Sequence, residues 1–250
     1  MARYCRVSAQ IFAVYLHQIG VRTGVFIICG RFTLTVAPEA ISKTFRVPCS
    51  IPYFPRYNIA PGQAVPVIVG GESGRLLKVM RWGLIPHWAK DASIGSRLVN
   101  ARTETVLSKP AFRDSFRFRR RCLVPADGFY EWKREGKRST PYRIVLPDKE
   151  VFAFAGLWDR WDSSEESVFS FAIITTEASE SMKEIHSRMP VILSVEEEYG
   201  EWLEAGDFNT LRKLLRPYEG RLHIYPVSRL VNSPKNDMPE LILEEENGEP

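Results

Sequence analysis

Val151-Phe-Ala-Phe-Ala-Gly-Leu-Trp158 is apolar from end to end and lies between two further strand-like runs, Tyr142–Leu146 and Val168–Thr175. Eight such residues flanked by strands match a strand covered on both faces, so the middle run belongs at the centre of a sheet. Working outward, Cys122–Pro125 is a short apolar strand, and Asp127-Gly128 turns it into Phe129–Lys133. Upstream, Val65–Val69 and Leu76–Trp82 form a hairpin through Gly70-Gly71 and Gly74, while Leu98–Arg102 and Val191–Leu193 are extended. Helices are expected over Ala37–Phe45, Thr103–Leu107, Ala111–Phe118 and Ser179–Ile185. Ser194 with Glu197 reads as a capping box opening a helix to about Ala205, and Asp207 caps another through Leu215. Arg56–Gly62, Gly83–Trp88 and Val227–Leu241 read as loops. Strands clustered in hairpins with helices at the edges define an α+β single domain, its sheet largely antiparallel and barrel-like.

With 250 residues, 44% of them hydrophobic, the chain can bury one sizeable core. Charged residues make up 26%, with both signs mixed, as in a soluble globular protein. Arg3, Arg6 and Arg22, with no acid before Glu39, supply +3 of the net charge of +4. Binding to a polyanion would therefore need a local basic face. Four cysteines without a CxxC pair signal neither a zinc site nor a disulfide framework, which fits a reducing cytoplasm. No GxGxxG, P-loop, HExxH or internal repeat is present, so neither cofactor nor metal is expected. Residues 1–28 begin with arginines, but His17, Gln18 and Arg22 break the apolar run, and no small-x-small cleavage site precedes Cys29. No run is long enough to span a bilayer. The chain divides into a leader, 1–28, absent from the active protein, a domain over 29–236, and an acidic tail over 237–250.

Cys29 is followed at long range by single polar residues in apolar or Gly/Pro-rich settings: Asn58, Asn100, Arg102, Glu131 and His186. A fold that gathers distant loops around one nucleophile leaves this trace. Each residue also has a plainer reading. An isolated cysteine is more often a small buried hydrophobe, Glu131 alone would be a salt-bridged strand residue, and a lone histidine is usually structural. Asn100 would be a turn residue, and Asn58 divides evenly between a site wall and a turn. His17, Cys49, Cys122, His87 and His223 read as structural. Phe116-Arg-Phe-Arg-Arg-Arg121 interleaves aromatics with charge, as a patch tracking a nucleic-acid backbone or as a solvated helix end.

Seven segments in order decide between these readings: CGRF (29–32), RYNIAPG (56–62), WGLIP (82–86), NARTET (100–105), PADGFYEWK (125–133), IHSRMPVIL (185–193) and PVSRLVN (226–232). Together they resemble the SRAP family, the SOS-response-associated "peptidases", understood as proteins that shield abasic sites in single-stranded DNA. The resemblance runs from Cys29 to about Asn236. It implies a cysteine at the mature N-terminus whose amine forms an iminium with the abasic aldehyde, and whose thiol then closes a thiazolidine. Such a residue has an amine titrating near ~7.7–8 and a thiol near ~8.5, both partly deprotonated at cellular pH. An internal Cys29 has an amide nitrogen whose lone pair is delocalised, so the chain as written departs from the family pattern here. The resemblance further implies Glu131 as general acid/base, His186 as proton shuttle to the sugar hydroxyl and Asn100 as an orienting group. It places Arg31, Arg102 and Arg188 on phosphates, Trp88 and Trp132 on bases, and Asn58 beside the substrate. The partner is single-stranded DNA with abasic sites, bound by a cytoplasmic, nucleoid-associated monomer with no membrane contact. A thiol (auto)peptidase using Cys29, or a non-catalytic single-strand binding module, is the alternative.

Overall fold

Five strands close on themselves: β3 (Ala64–Gly71), β4 (Gly74–Trp82), β6 (Arg121–Ala126), β9 (Phe152–Asp162) and β10 (Ser167–Glu177). The ring runs β10-β4-β3-β6-β9 and returns to β10; every pairing is antiparallel except β10–β4, which is parallel. This computed structural model describes residues 29–48 and 51–245. The leader, Cys49 and the last five residues of the acidic tail lie outside the described residues. Short strands extend the barrel: β5 (Asn100–Arg102) and β11 (Arg188–Pro190) on β10, and β12 (Ile192–Leu193) on β9. A second, antiparallel sheet has the order β13 (His223–Pro226), β8 (Arg138–Val145), β7 (Gly128–Glu135), β1 (Arg31–Leu34), β2 (Arg56–Ile59). Among the described residues four α-helices lie at the periphery: α1 (Pro38–Phe45), α2 (Pro110–Arg117), α3 (Glu196–Glu204) and α4 (Phe208–Leu214). The expected α+β class with a barrel-like, largely antiparallel sheet is the one observed.

Val151–Leu157 is buried throughout, because the barrel interior covers one face of β9 and packing outside covers the other. An aromatic cluster joins barrel to second sheet. Phe32 of β1 meets Trp82 at 5.2 Å and Phe154 at 5.8 Å, edge-on, and Phe129 of β7 meets Phe154 at 5.8 Å. Such pairs contribute about 0.5–1.5 kcal/mol each beyond their burial, so β1 and β7 are fixed against the barrel wall.

Several expectations are corrected. Thr103–Leu107 and Ser179–Ile185 are turns closed largely by bonds three residues apart, such as Thr105 N to Arg102 O and Met182 N to Ser179 O. Asp127-Gly128 does not reverse the chain but carries it from β6 in the barrel to β7 in the second sheet. Arg56–Ile59, read as loop, pairs with β1, and His223–Pro226 pairs with β8. Val195 rather than Ser194 is the N-cap of α3, and the side chain of Glu198, not Glu197, reaches back to the Ser194 nitrogen at 2.8 Å. Asp207 caps α4 as expected, accepting from Thr210 N. Asp237–Glu245, assigned to the tail, is packed: Leu241 is fully buried and Glu245 N donates to Pro226 O. Among the described residues no helix is long and apolar enough to cross a membrane.

The β6–β9 seam leaves no room for a side chain at Gly156. A Cβ there would stand 2.7 Å from Cys122 Sγ and 3.1 Å from Val124 Cγ2. Gly156→Ala is therefore expected to destabilise the protein by about 1–3 kcal/mol through overpacking, read as a lower urea midpoint at unchanged slope. An unchanged midpoint would show that the seam yields.

Candidate active site

The site is built where β1 begins. Asp127, at the corner between β6 and β7, accepts from the hydroxyls of Thr33 and Thr35 and from Thr35 N, and lies 3.6 Å from the Arg143 guanidinium. Arg143 lies so close over Gly128 that a Cβ would meet Nε at 2.9 Å. This corner sets the antiparallel register Phe32↔Phe129 and Arg31↔Tyr130. Two residues beyond Phe129 on the same face of β7, Glu131 emerges at the rim of the aromatic core. Cys29, just before β1, adopts a left-handed backbone with φ 49°, at a cost of about 1–2 kcal/mol for a residue with a Cβ.

The result is a buried polar centre. Cys29 N donates to Glu131 Oε1 at 2.6 Å, and both residues are 3% exposed. The Cys29 thiol faces the Arg188 carbonyl at 4.0 Å. Burial, and then the Glu131 charge, push that thiol well above its ordinary value, against a smaller opposing effect of Arg188. Burial likewise raises the Glu131 carboxyl, while His186 and the hydrogen bonds from Cys29 pull it back down. His186 Nδ1 accepts the Arg188 backbone N–H at 3.0 Å. Nδ1 also lies 3.2 Å from the Arg188 carbonyl; accepting the N–H at Nδ1 leaves the proton of the neutral ring on Nε2.

Cys29, Glu131 and the His186–Arg188 pair are thus brought together from three distant segments. The Arg188 side chain is held in a fork by Glu104 and donates to Thr175 O at 2.7 Å. Asn100 and Arg102, on β5, pair with Ile173 and Thr175 of β10; Thr175 also pairs with Pro190 of β11. The half-buried Asn100 and exposed Arg102 therefore flank the same stretch of β10 as β11 does.

Arg31, Asn58 and Trp132 form a second cluster under the C-terminal segment. Arg31 donates to Asn58 Oδ1 at 2.8 Å, Val231 O at 2.7 Å and Asn232 O at 3.1 Å, and lies 5.9 Å from the Trp132 ring. Trp132 Nε1 donates to Asn232 Oδ1 at 2.7 Å. Asn58 is fully buried, its amide nitrogen shared by the carbonyls of Val231, Ser233 and Asn236. The substrate contact expected of Asn58 has no surface from which to be made; it clasps the C-terminal segment. Three of the Arg31 donors are taken by the same clasp, so a phosphate there would compete with protein acceptors. Trp88 stands apart, 48% exposed, on the loop after β4. Glu104 and Asn232 were not singled out in the sequence, although they lie inside NARTET and PVSRLVN; polar residues inside dense motifs were the available signal. Among the described residues no group of three or more His, Cys, Asp or Glu is placed to hold a metal.

Fold and site define a single-domain barrel protein with a buried cysteine–glutamate–histidine centre. The chain belongs to the SOS response associated peptidase (SRAP) family, whose profile matches residues 28–234. It is 46% identical to the abasic site processing protein YoqW of Bacillus subtilis over 86% of this chain and 99% of that protein. It is 35% identical to the abasic site processing protein HMCES of Gallus gallus, over 79% of this chain and 68% of that one. A crystal structure of a Bacteroides thetaiotaomicron protein superposes with a TM-score of 0.76 at 28% identity, covering 87% of this chain and all of that one.

The raised carboxyl of Glu131 has a measurable consequence. Unfolded, Glu131 titrates near ~4.3; folded, it holds its proton to higher pH. Folded protein thus binds the extra proton in that window, so this group's contribution to stability falls as pH rises through it and stays low above. Glu131→Gln, neutral throughout, is expected to melt above the parent at pH 8, with the gap closing below about pH 4. A parent melting higher than the variant at pH 8 would show that the ionised carboxylate is net stabilising.

Proposed function

We propose that this protein is a DNA-repair protein that captures abasic sites in single-stranded DNA as a thiazolidine on Cys29. The observation that carries the reading is the buried 2.6 Å contact between Cys29 N and Glu131, with His186 and Arg188 alongside. The names of the relatives support the same substrate. The reaction requires an amine, so the active form begins at Cys29, whether the leader is never made or is removed.

In that form the chemistry follows from position. The Cys29 amine attacks C1′ of the ring-opened sugar. Glu131, in contact with that nitrogen and protonated at the outset, gives its proton to the aldehyde oxygen as the amine adds. It then takes a proton from nitrogen and returns it to the departing hydroxyl, releasing one water and leaving an iminium beside the carboxylate. The thiol adds to the iminium carbon and its proton passes to nitrogen, closing the five-membered ring. A carboxyl whose value is raised by burial suits both halves of this transfer. The raised thiol stays protonated, and so unreactive toward other electrophiles, until the iminium is beside it. His186 Nε2–H supplies the proton that the sugar ring oxygen needs on opening. The thiol-peptidase alternative is less favoured by the thiol's position, since Cys29 Sγ faces the Arg188 carbonyl.

A chain beginning at Cys29 is expected to give a heat-stable adduct with an abasic single-stranded oligonucleotide. Cys29→Ala in that chain is expected to give none, yet to bind undamaged single strands within about twofold of the parent, since phosphate and stacking contacts lie elsewhere. Undiminished adduct from the alanine variant would overturn the proposal. On denaturing gels a band retained in the variant is therefore the decisive one.

A further inference from the structure

The last residue of α2 and the turn after it carry Arg117, Phe118 and Arg119, all exposed, and no acidic residue lies between Ser115 and Arg121 in the sequence. Phe118 is 67% exposed. A solvated helix end gains nothing from presenting a phenyl ring to water. Arg119 adopts φ 56°, the left-handed position after a helix that glycine fills without strain. The chain holds a cation there at a cost of about 1–2 kcal/mol.

This turn is tied to the loop that bears Trp88. The buried carboxylate of Asp159 accepts from the backbone and ring nitrogens of His87 at 3.0 Å on Oδ2, and from Arg120 on Oδ1. On the other side of Trp88, the Trp161 indole donates to Ala89 O at 2.7 Å. Arg120 in turn lies 5.9 Å from the Phe118 ring. One buried anion therefore fixes two separate segments, each offering an exposed aromatic ring, and Arg120 meets its charge. Arg117 and Arg119 are both exposed, the Arg119 guanidinium lying beside Gly206.

We propose that this basic and aromatic shelf receives the single-stranded DNA flanking the abasic site, with Arg117 and Arg119 on phosphates and Phe118 stacked on a base near Trp88. Charge complementarity and exposed π-faces are what a single strand recognises without regard to sequence. The inference rests on the reading of Cys29 above and extends the footprint beyond the nucleotides at the cysteine.

The test uses the chain beginning at Cys29 and undamaged fluorescent oligodeoxynucleotides of about 5 and about 15 nucleotides, within the range of single-strand site sizes. Phe118→Ala is expected to weaken binding of the long strand by roughly 5- to 100-fold, with Phe118→Trp restoring it. Arg117→Ala with Arg119→Ala should flatten the log affinity against log salt slope by about 1.4, at 0.7 per lost contact. Short-strand binding, and adduct yield on a short abasic strand at saturation, should be unchanged. Long-strand affinity and slope equal to the parent's would overturn the proposal, as would equal losses on short and long strands. A parent that binds neither strand would instead refute the functional reading itself.

Discussion

The 2.6 Å hydrogen bond from Cys29 N to Glu131 is the constraint around which the second sheet is arranged. A carboxyl group 3% exposed is costly unless satisfied, and a charged one more so. Its partners come from the start of β1 and from the segment ending at His186, so those two parts of the chain must arrive together. The Asp127 corner makes this possible by fixing β1 and β7 in register, and the Phe32–Phe129–Phe154 cluster locks that register to the barrel. Glu131 then falls at the rim of the core by strand alternation alone.

The same region departs from what stability would favour. Cys29 is left-handed without being glycine, Glu131 is buried, and Arg188 is drawn to Glu104 and Thr175. Each feature holds a reactive or charged group in a fixed position. Packing elsewhere compensates: the barrel interior is continuous, and the C-terminal segment is closed over β1 and β2 by Asn58, Arg31 and Asp237.

The sheet was legible because its central strands are runs of Val, Phe, Ile and Ala with little competing periodicity, as in Val151–Trp158. β2 was not legible, because Asn58 puts a polar residue where a buried strand residue is expected, and its reason is a clasp to carbonyls more than 170 residues away. β13 was hidden in the same way by a histidine and a proline; among the described residues β8 is its one strand partner. The two short helices expected after β5 and β10 failed because tertiary anchoring at both ends left room only for turns. For the site, Cys29, Glu131 and His186 were recoverable from motif context, since their meeting depends on strand register. The clasp made by Asn58 and Arg31 was not legible, because a sequence does not reveal whether a polar side chain's partners are inside the protein. Glu104 was overlooked because its partner, Arg188, lies 84 residues downstream.

The account stands on both nucleophiles of Cys29 being consumed at once. Mass spectrometry of the adduct from a chain beginning at Cys29, after proteolysis and treatment with iodoacetamide, reads this directly. The expected N-terminal peptide carries the sugar remnant with the loss of one water, and its Cys29 sulfur is inert to the reagent. A remnant-bearing peptide whose Cys29 thiol is still alkylated would contradict the thiazolidine and with it the role assigned to the Cys29–Glu131 contact.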